Sequence, residues 1–254
     1  MKRIVFPEGE NDFIKEAMGR VGEICEPILL SNDLAGAAEM VAGGQADAMV
    51  AGIDYASRDV ILAARDKIGL SDGWKTFSSL FVCDMPDGKR YIVADGATCK
   101  NPTAEQLADI VLLVSEAAEK LLDDKPRVAM LSFSTFGSGG KDPSMDKIAE
   151  TIQIVRGKNP DVLVDGEMQL DAAINPRVAA KKAPAESEVA GRANVLIAPD
   201  INSGNILYKA TWQLAGADVA GPILLGFKAP VSDLSRGSTV EDVILTVKSV
   251  IALA

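Results

Sequence analysis

Short apolar runs alternate with helix-period segments along almost the whole chain, and few folds accept that alternation. Such a rhythm builds a largely parallel sheet with helices on its faces, an α/β fold. In the first half, strands are predicted at 2–6, 27–31 and 47–51, with helices at 11–21, 33–42 and 57–67. Residues 80–83 and 90–94 flank Pro86-Asp87-Gly88, a turn signal for a hairpin, so the sheet is expected to be mixed there. Thr103 and Gln106 form a capping-box pattern that opens a long helix reaching about residue 122. Asp123-Asp124-Lys125-Pro126 then reads as a linker. Beyond it strands are expected at 127–132, 161–165, 194–198 and 222–226, and helices at 143–156, 170–179, 205–215 and 239–254.

Composition narrows the chemistry. The 254 residues are 48% hydrophobic but only 5% aromatic, so the core must be packed with aliphatic side chains. No apolar run approaches the ~20 residues needed to span a membrane. Proline and acid cut short the N-terminal Met1–Glu8 stretch, which reads as no signal peptide. Cys25, Cys83 and Cys99 are scattered without any CxxC spacing, the pattern of reduced cytoplasmic thiols rather than of a zinc site. A net charge of −10 disfavours nonspecific nucleic-acid binding. The chain also contains no histidine. Ser-His-Asp and Cys-His catalysis and His-ligated metals are therefore excluded, and acid–base work falls to a carboxylate, a tuned Cys, Lys or Tyr, or the substrate.

The densest chemistry lies at Pro230–Asp242. Ser238 and Glu241 match S-x-x-E, which predicts a helix from about residue 239 with Asp242 in its first turn. Ser235 and Arg236 fall in the turn just upstream. A guanidinium beside exposed helix N–H groups is a seat for phosphate, and a nearby carboxylate can take a proton from an attacking group. The plainer alternative has Ser238 capping, Asp242 complementing the helix dipole and Arg236 as a surface cation.

Two further segments carry candidate substrate-binding residues. Ser132, Ser134, Thr135, Gly137 and Ser138 lie in a small, hydroxylic loop between a strand and a helix. It matches no nucleotide fingerprint, yet such a loop can cradle phosphate through backbone N–H groups. Asn202, Gly204 and Asn205 lie in a strand-end segment read as another loop. Asp165, Glu167 and Asp171 could supply oxygen ligands to a cation; helix capping is the commoner use of such a trio, and no metal is expected. Together these loops suggest one phosphate-rich cleft at the strand C-termini.

Several motifs, in order, resemble those of the phosphate acetyltransferases. They are Val128–Thr135 followed by Gly137-Ser138; Val164–Ala173, reading VDGEMQLDAA; Ala183-Pro184; Val189-Ala190-Gly191; Pro199-Asp200 with Gly204-Asn205-Ile206; and Asp233-Leu234-Ser235-Arg236-Gly237. The match is dense over 127–254 and looser before it. The resemblance implies two α/β domains with a cleft between them, similar to the isocitrate and isopropylmalate dehydrogenases, pairing as a homodimer. It returns the last helix to the first domain, giving 1–123 plus 235–254 as one domain and 124–234 as the other. The implied substrates are coenzyme A, acetyl phosphate and phosphate, with no redox cofactor. Carried over, Ser235 hydrogen-bonds the CoA sulfur, Arg236 holds the phosphoryl group, and Asp242 deprotonates the thiol.

Two positions depart from the family pattern, since Leu62 and Gln213 stand where arginine is usual. The segment between Asp33 and Asp47 is also shorter than in relatives. These departures favour a noncatalytic acetyl-CoA-sensing or oligomerising module, and the retained Ser235, Arg236 and Asp242 oppose it. Phosphate butyryltransferases resemble the fold but usually differ at the 233–237 turn. An NAD-dependent dehydrogenase of similar shape lacks its dinucleotide fingerprint here.

Overall fold

The computed structural model describes residues 1–254, and the chain divides into two compact units. The first is made of residues 1–82 and 218–254, the second of residues 83–217. The chain begins in the first unit with β1 (Lys2–Phe6), α1 (Asp12–Val21), β2 (Cys25–Leu29), α2 (Leu34–Ala42), β3 (Ala48–Ala51) and α3 (Ser57–Ala63). A π turn at Ala64–Ile68 extends α3, and β4 (Ser78–Asp84) carries the chain across the boundary.

The second unit contains β5 (Arg90–Ala94), α4 (Ala104–Leu121), β6 (Arg127–Leu131), α5 (Pro143–Lys158) and β7 (Leu163–Met168). It continues through α6 (Leu170–Ile174), α7 (Pro176–Lys182), β8 (Val195–Ile197) and α8 (Ile201–Ala215). The chain then returns to the first unit for β9 (Asp218–Leu225), β10 (Val231–Asp233) and α9 (Val240–Leu253).

Strands of the first unit are ordered β2-β1-β3-β10-β9-β4. β1 pairs in parallel with β2 and β3, β3 with β10, and only the β10–β9 pairing among these is antiparallel. Parallel strands are buried on both faces and read as continuous aliphatic runs. Accordingly Ile4, Val5, Phe6, Met49 and Val231 are almost fully buried, with Ala37, Ala38, Val60 and Ala64 of α2, α3 and the π turn clustered with Val5, Met49 and Val231. The last helix packs on α1 and β9 within this unit.

In the second unit the order is β5-β8-β6-β7, parallel throughout. Its core is aliphatic too: Leu107, Ile110, Val111 and Val114 of α4 and Ile148, Ile152 and Val155 of α5 are buried, and the two helices pack together. The Thr103/Gln106 capping box forms as predicted at the start of α4. No helix is long and apolar enough to cross a membrane.

The α/β class and the mostly parallel sheet agree with the sequence reading, but several boundaries differ. The crossings between units fall at 82/83 and 217/218 rather than at 123/124 and 234/235. Asp123–Pro126 is a helix-to-strand connection inside the second unit, because α4 packs on α5, β5 and β8. The second crossing falls before β9 because β9 pairs with β10, which is hydrogen-bonded to β3. The helix expected at 170–179 is two, broken where Asn175 caps α7 and Pro176 takes its first position.

Candidate active site

Parallel pairing brings the exits of β1, β3 and β10 to one edge of the first unit. Ser235 and Arg236 lie in the turn from β10 into α9, which packs its buried face on β9. Ser235 is half-buried; its carbonyl accepts from Ser238 N at 2.9 Å and its hydroxyl from Gly237 N at 3.4 Å. Arg236 is exposed, free of close ion pairs, and lines a shallow pocket of about 400 Å³ with Asn11, Phe13, Ile53, Asp54 and Thr239.

The helix cap lies one residue later than predicted. Thr239, not Ser238, is the N-cap, and its box partner is Asp242 rather than Glu241. Asp242 Oδ2 accepts from Thr239 N and from Thr239 Oγ1, both at 2.8 Å, and Asp242 N donates back to Thr239 Oγ1 at 3.2 Å. The other carboxylate oxygen, Oδ1, meets only Val219 N, at 3.4 Å. Asp242 is thus buried at 3% exposure, with one oxygen committed to the cap and the other lightly held. Glu241 is drawn away to Arg20 of α1, at 2.6 Å.

Two carboxylates with no role in the sequence reading sit at the same edge. Glu8, just past β1, is 1% exposed and accepts from Gly52 N, Asp54 N and Tyr55 N at 2.9, 2.7 and 2.8 Å. Asp233, the last residue of β10, is 2% exposed, and its Oδ1 has no hydrogen-bond partner. Burial pushes the Asp233 carboxyl up to about 6; the Ser57 hydroxyl opposes the rise, the Glu8 charge adds to it, and Arg236 lowers it. A lone acid at a strand exit carries no local signal of burial, so sequence reasoning passes over both.

The second unit brings the exits of β5, β8 and β6 to one edge in the same way. The loop after β6 holds Ser132, Ser134, Thr135, Gly137 and Ser138, but it is not an open N–H cradle. Its amides are engaged internally: Thr135 N donates to Ser138 Oγ, Phe136 N to Glu167 O, Gly137 N to Glu167 Oε1, and Gly139 N to Ser134 Oγ. Ser134 N, Ser138 N and Gly140 N are likewise bonded within the loop. Ser134 and Thr135 are buried, their hydroxyls donating to Glu167 and Gln169, whereas Gly137 and Ser138 are exposed.

Glu167 is therefore the post around which this loop is built. Asp165 turns instead to Ser187 and Arg156, and Asp171 to Lys182, so the three carboxylates of that stretch face different partners. Asn202, Gly204 and Asn205 form the first turn of α8, not a loop, because Asp200 caps the helix through Asn202 N and Ser203 N at 2.9 and 3.0 Å. Asn202 is exposed, Asn205 donates to Gly96 O at 3.0 Å, and Gly204 packs directly on the Asp95 carbonyl. Of the two departures, Leu62 is half-buried on α3 and Gln213 is exposed near the end of α8.

Residues 23–252 match the family model described as phosphate acetyl/butaryl transferase. The chain belongs to this family. A phosphate acetyltransferase of Treponema pallidum is 44% identical over 215 residues, covering 82% of this chain and 64% of its own length. The chain therefore spans less than two thirds of that curated relative. A crystal structure of a phosphotransacetylase from Streptococcus pyogenes superposes with a TM-score of 0.89 at 34% identity, covering 99% of this chain and 93% of the other. A 4-hydroxythreonine-4-phosphate dehydrogenase from Klebsiella pneumoniae superposes at 0.58 with 11% identity, covering 99% of this chain and all (100%) of the other, and shares the fold alone. The phosphate acetyl/butaryl transferase assignment covers both units, including the turn that carries Ser235 and Arg236.

Proposed function

We propose that the chain is a phosphate acetyltransferase, moving an acetyl group reversibly between the thiol of coenzyme A and inorganic phosphate. The observation that carries this reading is Arg236, an unpaired guanidinium lining a pocket on the turn that leads into α9. A planar fork so placed suits the oxygens of a phosphoryl group. Ser235 hydrogen-bonds the CoA sulfur, and Asp242 accepts the thiol proton at its lightly held Oδ1.

The resulting thiolate attacks the carbonyl carbon of acetyl phosphate. The C–S bond forms as the carbonyl–oxygen bond to the phosphoryl group breaks, and phosphate leaves with that electron pair. A free thiol has a pKa near ~8.5, so a base that raises its thiolate fraction contributes roughly 10²–10⁴-fold. Of the candidate residues in the second unit, Gly137, Ser138 and Asn202 are exposed and form part of its surface. Ser132, Ser134, Thr135, Gly204 and Asn205 contribute by shaping that surface.

In this reading the enzyme is a cytoplasmic homodimer that needs no metal or redox cofactor. Its three free cysteines, two of them buried, suit a reducing compartment.

A coupled thiol assay tests the activity. CoA and acetyl phosphate should give thioester at a rate unchanged by a chelator, with acetyl phosphate preferred over longer acyl phosphates. Faster turnover of butyryl phosphate would make the enzyme a butyryltransferase. Acetyl-CoA binding without turnover of any acyl phosphate would select the noncatalytic module, the reading favoured by Leu62 and Gln213.

A further inference from the structure

The β3 exit loop, Gly52–Tyr55, is held between two buried carboxylates that end the neighbouring strands. From the β1 side Glu8 accepts three backbone N–H groups, so its charge is matched by donors. From the β10 side Asp233 presses on the same loop. A Cβ on Gly52 would overlap Asp233 Oδ1 and lie 2.7 Å from Leu234 N, and the φ of +103° at Gly52 already suits glycine alone. Yet Asp233 Oδ1 is sealed from water without a partner. A buried acceptor left unmatched is costly as an anion and far less so as a neutral acid.

The charged groups around Asp233 are few. Glu8 faces it from the β1 exit and disfavours its ionisation. Arg236, on the turn that Asp233 leads into, favours it, and Ser57 offers a hydroxyl from α3. Asp242 on α9 is turned to Thr239 and Val219, and Asp54 to Asn11. Arg236 is therefore the cation that an ionised Asp233 attracts, and it is also the group left free to receive an anion.

We propose that Asp233 is a proton-carrying positioning residue that competes, when ionised, with the substrate phosphoryl group for Arg236 and releases it when protonated. This rests on the assignment of Arg236 to the phosphoryl group. An acyl phosphate entering beside Arg236 brings negative charge near a carboxyl already poised to take a proton, so binding draws a proton onto Asp233. The side chain stays a positioning group throughout, since Asp233 neither touches the acyl group nor receives the thiol proton.

The test is binding of acetyl phosphate without CoA, by calorimetry in two buffers of different ionisation enthalpy, for the wild type and Asp233→Asn. The wild type should take up protons on binding above pH 6, and its affinity should weaken with rising pH by at most roughly tenfold per unit. Asp233→Asn, permanently neutral, should show neither effect beyond the ligand's own ionisation, and should bind more tightly than the wild type at pH 8. Equal proton uptake in the two proteins, or no binding to the wild type, overturns the proposal. The wild-type buffer comparison stands alone should the variant fail to fold. Proton-coupled binding without turnover on adding CoA would defeat the acetyltransferase reading and leave this one standing. Turnover with no proton uptake would do the reverse.

Discussion

Asp242→Asn should lower turnover by roughly 10²-fold or more near neutral pH while KM for CoA moves little. Asparagine keeps the size of the side chain and one carbonyl oxygen but cannot accept the thiol proton. The structure adds a complication, because the same carboxylate caps α9 through Thr239 N and Thr239 Oγ1. With its oxygen in the Oδ2 place asparagine can still accept from Thr239 N and Thr239 Oγ1, while its amide takes the Oδ1 place and faces Val219 N, donor against donor. The cap should therefore weaken by only about 1 kcal/mol. That corresponds to a fall in Tm of about 2–4 °C for a chain of this size. Turnover and melting read together separate the two roles of Asp242. A hundredfold loss of turnover in a protein that melts almost normally assigns the proton to Asp242. Near-normal turnover would leave Asp242 a helix cap and nothing more.

Gly204→Ala should be the most destabilising single-methyl change in the second unit. A Cβ there would overlap the Asp95 carbonyl oxygen and lie 2.9 Å from its carbon and 3.2 Å from Ala198 Cβ. No flexible side chain can swing aside, because the obstacle is backbone. Nor can Asp95 retreat cheaply, since its carboxylate accepts from Ala97 N, Thr98 N and Cys99 N at 3.0, 3.1 and 2.8 Å. Overpacking of this kind costs about 3 kcal/mol, or a fall in Tm of about 6–12 °C. Gly19→Ala is the matched control. Gly19 lies exposed in α1 with nothing near its missing Cβ, so alanine there should stabilise by about 0.5–1 kcal/mol. Thermal melts of both variants check the pair. A Gly204→Ala protein that melts like the wild type would show that α8 rides over β5 with slack.

The sequence alone revealed what local patterns encode. Alternating apolar runs gave the α/β class, and Thr103 with Gln106 gave the start of α4 to the residue. What it misjudged was decided by partners distant in the chain. Ser238-x-x-Glu241 and Thr239-x-x-Asp242 are overlapping capping patterns of nearly equal merit. Arg20, on another helix, takes Glu241, and Val219 meets Asp242, so the second pattern forms.

The loop after β6 reads as an open anion cradle until Glu167 of β7 is seen to occupy its amides. Asn202–Asn205 reads as a loop although Asp200, the cap that makes it a helix, was visible in the sequence. Glu8 and Asp233 carry no signal at all, because burial at a strand exit is a property of the sheet. Ser235, Arg236 and Asp242 stand out as a group because they crowd into a single turn and the helix start after it, and the roles proposed for them come from the family resemblance.

The route of the chain through its two units sets an order on biosynthesis. The second unit is one continuous segment and has all its strands once Ala217 has left the ribosome. The first unit is then still incomplete, because β10 must fill the place between β3 and β9. Until Val231–Asp233 emerge, the nascent chain carries β3, Ala-Met-Val-Ala, with one edge unpaired. Open apolar edges are where newly made chains pair with the wrong neighbour. Ser235 and Arg236 follow at once behind the strand that closes the gap. The residues assigned to chemistry are thus translated only after the strand that closes the gap, and no nascent species lacking that strand can carry them in place.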